Sequence, residues 1–425
     1  MLRIDSELLK MFSKNTPILL AIFLFPILIA TVKHGGGFVY SLLLLFGLFL
    51  GWSAWKVLLS WEKKALIGFL IFFALLSFSF INTQDVYNGV KRIEKLVLFP
   101  LFVPMYLLVR KYQIETGKIY LLGMFIASFV MFGQAYYQVF ILDWGRAIGA
   151  YNPLILGDVS MLIAVIMFFA LMMLSKNWKH YFLGSLAVFF ALFASVFSGA
   201  RGAWILLPII VVWFMWEKRK NLRPIHLMFI VLISSLTVVG SYEIPYVKSR
   251  VNIAINDYQT YMQDDTKRSS IQIRMELWKD SITIWKEQPI IGTGVGDYHR
   301  DVTQLVENGR SNTQEVFGHA HSIYFDTLAV SGLVGLFALL IFVLLIPFLM
   351  FRSFWIKEDD PWVRFYALSG MVVIIAFAVY GLTETWLSRN AFVRTYLMSI
   401  LVFMSSIAAR KQFAEIKNND KEINA

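Results

Sequence analysis

"HSIYFDTLAVSGLVGLFALLIFVLLIPFLM", residues 321–350, decides the fold. After its polar start it is a long apolar run, and a helix of about 20 such residues crosses the hydrocarbon of a bilayer. It lacks the alternation of polar and apolar residues that marks a membrane-spanning β-strand. Runs of the same kind recur from one end of the chain to the other. Of the 425 residues, 58% are hydrophobic and only 16% charged, whereas soluble domains carry about 25% charged residues. The chain therefore reads as an all-α polytopic membrane protein.

Spans are predicted near 17–32, 38–55, 65–81, 95–109, 119–142, 154–174, 181–198, 203–216, 225–241, 322–350, 365–383 and 392–409. These twelve crossings put both termini on one side. That side collects 22 basic residues, with "EKRKNLRP" (217–224) as its clearest marker, while the short opposite loops and span ends hold 8. The positive-inside rule places the termini in the cytoplasm. Topology thus accounts for the net charge of +11, and no nucleic-acid partner is expected. The first span is long and no small-residue cleavage site follows it, so a cleavable signal is not expected. With no cysteine, disulfides, thiolate ligands and cysteine nucleophiles are excluded.

The other 9 basic residues lie in one long hydrophilic segment, which is exempt from the charge rule. The division is 1–241, an N-terminal membrane bundle of about nine helices; 242–320, a periplasmic loop; 321–409, C-terminal membrane helices; and 410–425, a cytoplasmic tail. Within the loop, "IQIRMELWKDSITIWKEQP" (271–289) reads as an amphipathic helix with Ile273, Leu277, Ile284 and Trp285 close to one stripe. Pro289 ends it, and "GTGVGD" (292–297) follows as a turn, a hinge or at most a backbone anion nest.

Candidate chemistry gathers at the outer boundary. Arg201, in "SGARGAW" (198–204), either snorkels to lipid phosphate or serves as a fixed cation for an anionic substrate. Flanking Gly199 and Gly202 allow close approach and favour the second. Arg274, at the start of the amphipathic helix, is either a solvated charge or a second such cation. Lys91, Arg92 and Arg146 also lie outside, and together these cations suit a lipid-linked phosphate or diphosphate. Glu384 and Arg389, in the last outside turn, either pair structurally or line the same cavity.

His319 and His321 open the tenth span, and histidine titrates near working pH. A metal site drawing on His299, Asp297 or Glu315 is the alternative, but the spacing matches no standard zinc motif, so no metal is expected. There is no Walker sequence and no Gly-x-Ser-x-Gly elbow, and no cofactor is expected. From His321 to Gly332 is 11 residues and to Gly335 is 14, close to three and four turns of about 3.6. A continuous helix would put both glycines on a stripe beneath His321 as packing residues.

"HSIYFDTLAVSGLVG" fits the pattern His-[Asn/Ser/Gln]-x9-Gly-x-x-Gly and resembles that of the O-antigen ligases, within the ligase/polymerase superfamily. "SGARGAW", "RMELWKDSITIWKEQPIIGTGVGDY" (274–298) and "RAIGAYNPLILGDVSMLIA" (146–164) are similar to other parts of that family, and the resemblance covers roughly residues 85–400. It implies a glycosyltransferase C-like fold in the bacterial inner membrane, with its active site facing the periplasm. It further implies transfer of O-polysaccharide from undecaprenyl diphosphate to a sugar hydroxyl of lipid A-core, by an inverting, metal-independent reaction. The essential residues it implies are Arg201, Arg274 and His321. On this reading the arginines stabilise the departing diphosphate and His321 is the general base. Lys91, Arg92 or Arg146 help to hold the donor, and Asp297 or Glu384 orient or replace the base. His319, outside the pattern, has no assigned role. The alternatives are an O-antigen polymerase, a protein O-oligosaccharyltransferase and a non-enzymatic flippase of lipid-linked glycan.

Overall fold

A computed structural model of the protein describes residues 6–218, 252, 270–313 and 315–423. The predicted span 225–241 lies outside them. The described residues form helices and connecting turns, with no strand. In the N-terminal part these are α1 (Ser6–Thr31), α2 (Gly35–Leu50), α3 (Ser60–Phe78), α4 (Val86–Leu96), α5 (Leu98–Lys111), α6 (Gly117–Tyr136), α7 (Pro153–Leu174), α8 (Trp178–Ser198), α9 (Arg201–Trp204) and α10 (Leu206–Lys218). After the undescribed stretch come α11 (Ser270–Glu287), α12 (Tyr298–Glu307), α13 (Ile323–Ala338), α14 (Ile346–Lys357), α15 (Pro361–Tyr380) and α16 (Asn390–Ile423).

Seven stretches among the described residues are long and apolar enough to cross a membrane: Ser60–Asn82, Gly117–Ile141, Pro153–Leu174, Trp178–Ser198, Ile323–Lys357, Pro361–Tyr380 and Asn390–Phe413. Each coincides with a predicted span. The first two predicted spans fall on the shorter apolar helices Thr16–Thr31 and Gly35–Leu50, the fourth on α5, and the eighth on α9 and α10, which are interrupted at Ile205. The architecture is that of an all-α polytopic membrane protein.

Local chemistry sets the helix ends. Asn152 accepts a hydrogen bond from the Ile155 amide ahead of Pro153 at the start of α7. Asp360 accepts from the amides of Trp362 and Val363 ahead of Pro361 at the start of α15. Both are side-chain caps followed by proline at a position where its missing N–H costs nothing. Gly199, at φ 65°, ends α8 in the left-handed conformation and turns the chain into Arg201. Of the spans, α7, α15 and α16 are the most deeply buried.

The tenth span departs from the continuous helix expected. His321 precedes α13 with φ 50°, and Gly332, at φ 60° and ψ −161°, breaks the helix internally. A straight helix would bond the Leu333 amide to the Ala329 carbonyl and the Val334 amide to the Val330 carbonyl. Instead the loop after α11 enters the break. The Leu333 and Val334 amides donate to the carbonyls of Pro289 and Ile290, each at 3.0 Å. The Thr293 and Gly294 amides donate to the carbonyls of Ala329 and Val330, at 3.3 and 3.2 Å. Backbone groups freed at membrane depth need such partners. The glycines are therefore required for close approach, as expected, but not as a stripe beneath His321. A Cβ on Gly332 would lie 2.4 Å from the Ile290 oxygen, and one on Gly292 would lie 2.3 Å from the Ser331 nitrogen.

Side chains secure this plug. Asn82 donates to the Gly292 carbonyl at 2.9 Å and Thr83 to the Val295 carbonyl at 3.1 Å. Both carboxylate oxygens of Asp297 accept backbone amides, from Gln84 and Asp85, at 2.8 Å each. The "GTGVGD" turn is thus a structural plug with its Thr293 and Gly294 amides engaged, not an open anion nest. Leu277 and Ile284 of α11 pack with Tyr298, Val302 and Leu305 of α12 and with Ala329 and Val330 of α13 in a second small core.

Candidate active site

Four segments converge at one rim of the bundle: the turn into α9, the first turns of α11, the segment before α13, and the turn between α15 and α16. The segment before α13 is fixed from both sides. Ser322 Oγ and the Ile323 amide donate to the Gly381 carbonyl, at 3.2 and 2.9 Å. Trp278 Nε1 of α11 donates to the Ala320 carbonyl at 3.2 Å, and its ring stacks on Phe325 at 5.0 Å. Between these anchors His321 is held at φ 50°, in the left-handed region that histidine, with Asn and Asp, enters more often than other side chains.

The imidazole of His321 stands edge-on to His319 at 4.4 Å and to Phe317 at 5.0 Å. Ligating atoms of His319, His321 and Glu384 all lie within 4.8 Å of one another. Glu384 is buried, and its Oε1 accepts from Arg389 Nε at 2.9 Å. Gly202 brings the turn that bears Arg201 against the 381–389 turn: a Cβ there would lie 2.5 Å from Thr383 Oγ1, so a larger residue would force that side chain to shift. Arg274 feels the charges of both Glu384 and Arg201.

Three buried atoms at this point have no hydrogen-bond partner: His321 Nδ1, Arg274 Nε and Glu384 Oε2. Such an atom costs about 1–3 kcal/mol where nothing satisfies it, and these three belong to residues that interact with one another. Burial holds the His321 pKa below the usual histidine range, with Arg274 and Arg389 adding to the effect and Glu384 opposing it. Burial, then the charges of His321, Arg92, Arg389 and Lys95, bring His319 down to about 3. Both rings are neutral at neutral pH, so each has one ring nitrogen to donate a hydrogen bond and one to accept. Burial also lowers the Arg274 pKa, with Arg201 in the same sense and Glu384 against it.

His319 also lines a cavity of about 340 Å³. Lys91, Arg92, Lys95, Arg389, His299 and His319 are in its wall, with Asp326 as its one carboxylate. Arg92 forms an ion pair with Asp326, on the first turn of α13.

The structure therefore brings His321, His319, Glu384, Arg389, Arg274 and Arg201 together, and Lys91 and Arg92 beside them. It separates two candidates from the group. Arg146 is exposed in the segment before α7, outside the cavity wall. Asp297 is buried, with both carboxylate oxygens engaged by backbone. Two residues escaped the sequence reading. Lys95 was visible as one turn on from Lys91 and Arg92, while nothing in the sequence distinguished Asp326 as the partner of Arg92. The metal alternative changes its members as well: Glu384, not Asp297, His299 or Glu315, completes a three-ligand set with the two histidines.

Fold and site define a polytopic membrane protein with a cationic, histidine-bearing site at one rim of its helical bundle. Residues 186–340 match the model of the O-antigen ligase family. That match spans Arg201, Arg274, His319 and His321. The chain is 24% identical over 348 residues to an uncharacterized protein of Haemophilus influenzae, covering 81% of this chain and 86% of that one. It is 25% identical over 226 residues to a ComP-specific O-oligosaccharyltransferase of Acinetobacter baylyi, covering 53% of this chain and 38% of that one.

Proposed function

We propose that the protein transfers O-antigen polysaccharide from undecaprenyl diphosphate to a sugar hydroxyl of lipid A-core at the periplasmic face of the inner membrane. The observation that carries this reading is the meeting of His321, Glu384, Arg274 and Arg201 around three unpartnered buried atoms. The acceptor hydroxyl gives its proton to an imidazole nitrogen of His321 as its oxygen bonds to the anomeric carbon of the donor. The bond from that carbon to the diphosphate oxygen breaks, and undecaprenyl diphosphate leaves with the bonding pair. Attack opposite the leaving group inverts the anomeric centre. Arg201 and Arg274 stand where the departing charge develops, which is where fixed cations lower a barrier most. Glu384 steadies the imidazolium that His321 becomes, as a carboxylate does beside a catalytic histidine.

This path needs no metal. Arg274 and Arg389 beside Glu384 offset the negative charge a cation would seek, so the same three ligands favour proton transfer over metal binding. A second reading has a specific observation behind it. The similarity to the ComP-specific O-oligosaccharyltransferase supports a protein hydroxyl as acceptor, with the same donor chemistry.

Deleting the gene and analysing the cell's glycans tests both. Core without polymer, with polymer retained on undecaprenyl diphosphate, is the outcome expected. Core carrying a single repeat would make the protein a polymerase. Unchanged lipopolysaccharide with a glycoprotein lost would establish the second reading.

A further inference from the structure

Arg394 stands on the second turn of α16, inside the span Asn390–Phe413, and is partly exposed. Side chains of a helix lean toward its N-terminus, so Arg394 reaches back toward the rim that bears Arg389. Among the described residues no carboxylate acts on its charge; the groups that do are the phenols of Tyr40 and Tyr151. Its Nε has no hydrogen-bond partner. The guanidinium is nevertheless fixed in place. It lies against α2, where a Cβ on Gly37 would come within 2.5 Å of Nη1, and its Cζ is 5.8 Å from the centre of the Tyr40 ring. The Tyr40 hydroxyl is committed to the Leu98 carbonyl, at 3.4 Å. That of Tyr151 accepts the His34 amide at 2.7 Å, which leaves its own hydrogen to donate. Lys33, in the same turn between α1 and α2, is exposed.

An arginine cannot shed its charge, and at the edge of hydrocarbon that charge is costly without a partner. Aromatic faces offset only part of the cost. A guanidinium and a phenol that offer hydrogen-bond donors, with no acid between them, call for an anion, and the fork of an arginine matches two phosphate oxygens. We infer that Arg394 and Tyr151, at the turn between α1 and α2, bind the phosphate group of a membrane lipid. The site is separate from the His321 cluster, none of whose charges acts on Arg394. A bilayer phospholipid and a polyprenyl diphosphate carry the same chemistry, and the test separates them.

The full chain, purified in detergent, is offered equal amounts of phosphatidylglycerol, undecaprenyl diphosphate and diacylglycerol, and the lipids it retains are counted by native mass spectrometry. Arg394→Gln is expected to lower the retention of a phosphate-bearing lipid relative to diacylglycerol by about tenfold, as hydrogen bonds to a charged group provide. Gly37→Ala, which pushes the guanidinium off α2 but keeps its charge, should lower the same ratio, and Tyr151→Phe should lower it to a smaller extent. Arg394→Lys should retain part of it and guards against a folding defect. A fall confined to phosphatidylglycerol assigns the site to bilayer phospholipid, and one confined to undecaprenyl diphosphate assigns it to the polyprenyl lipid. Ratios equal in the wild type and Arg394→Gln for both lipids overturn the inference, and so does a loss of all three lipids in step.

Discussion

Gly332→Ala probes the device that joins the loop to the membrane bundle. At φ 60° and ψ −161°, Gly332 occupies a region that is essentially glycine's own, and a side chain held there costs about 1–3 kcal/mol. The added Cβ would also lie 2.4 Å from the Ile290 oxygen and 2.5 Å from its carbon. Those are backbone atoms that cannot rotate away, and overpacking of this kind adds about 1–3 kcal/mol. The total, about 2–6 kcal/mol, can be relieved only if α13 straightens, re-forms its own two hydrogen bonds and expels residues 289–294. Gly309→Ala is the control: its φ is also positive, at 66°, but no heavy atom lies within 4 Å of its Cβ position, so only backbone strain of about 1–2 kcal/mol is added. Unfolding in detergent should show Gly332→Ala losing clearly more stability than Gly309→Ala, and limited proteolysis should cut within 289–294 in the first variant alone. Equal losses in the two variants, or an uncut loop, would refute the plug.

Five further outcomes are expected. His321→Ala, correctly inserted, should lower transfer by at least about a hundredfold, the usual contribution of a positioned general base; full activity in a radioactive-donor transfer assay would remove the base assignment. The reaction needs neutral His321, and burial keeps its pKa below 6.5, so the rate should fall only as pH drops through a midpoint below that value. Glu384→Gln removes a charge that raises this pKa and should move the midpoint lower still; a rate profile with its midpoint at or above pH 6.5 would contradict the burial argument. Asp326→Ala leaves Arg92 unpaired and should cost about 3–5 kcal/mol of stability, while Arg92→Met with Asp326→Leu should recover much of it; thermal unfolding of the two variants decides. Transfer should survive exhaustive chelation, and activity restored only by an added divalent ion would turn His319, His321 and Glu384 into a metal centre.

Much of the fold was legible because the signal is periodic and local. Seven predicted spans are present as long apolar helices, and α11 buries Leu277 and Ile284 as its stripe required. What escaped the sequence is what depends on contacts between distant segments. Gly332 reads as one more small residue in a helix until Ile290, over forty residues away, is seen against it. Asp297 reads as a free carboxylate in a glycine-rich turn until the amides of Gln84 and Asp85 engage it. Asp326 lies inside an apolar run, where only the position of α4 reveals its partner.

The same reasoning explains why the site residues were easier to find than their arrangement. A cation or histidine at the edge of hydrocarbon is conspicuous wherever it lies, because burying it there is costly without a partner. Proximity is a different matter. Arg201 meets the 381–389 turn because Gly202 and Thr383 touch, and Arg274 meets His321 because Trp278 anchors the Ala320 carbonyl. The plug at Gly332 ties these together, since one loop both ends the helix that bears Arg274 and breaks the helix that follows His321. If the loop left that break, Arg274 and His321 would lose their common support at once. Transfer should therefore fall in Gly332→Ala by more than its loss of folded protein explains, although Gly332 touches no reacting atom.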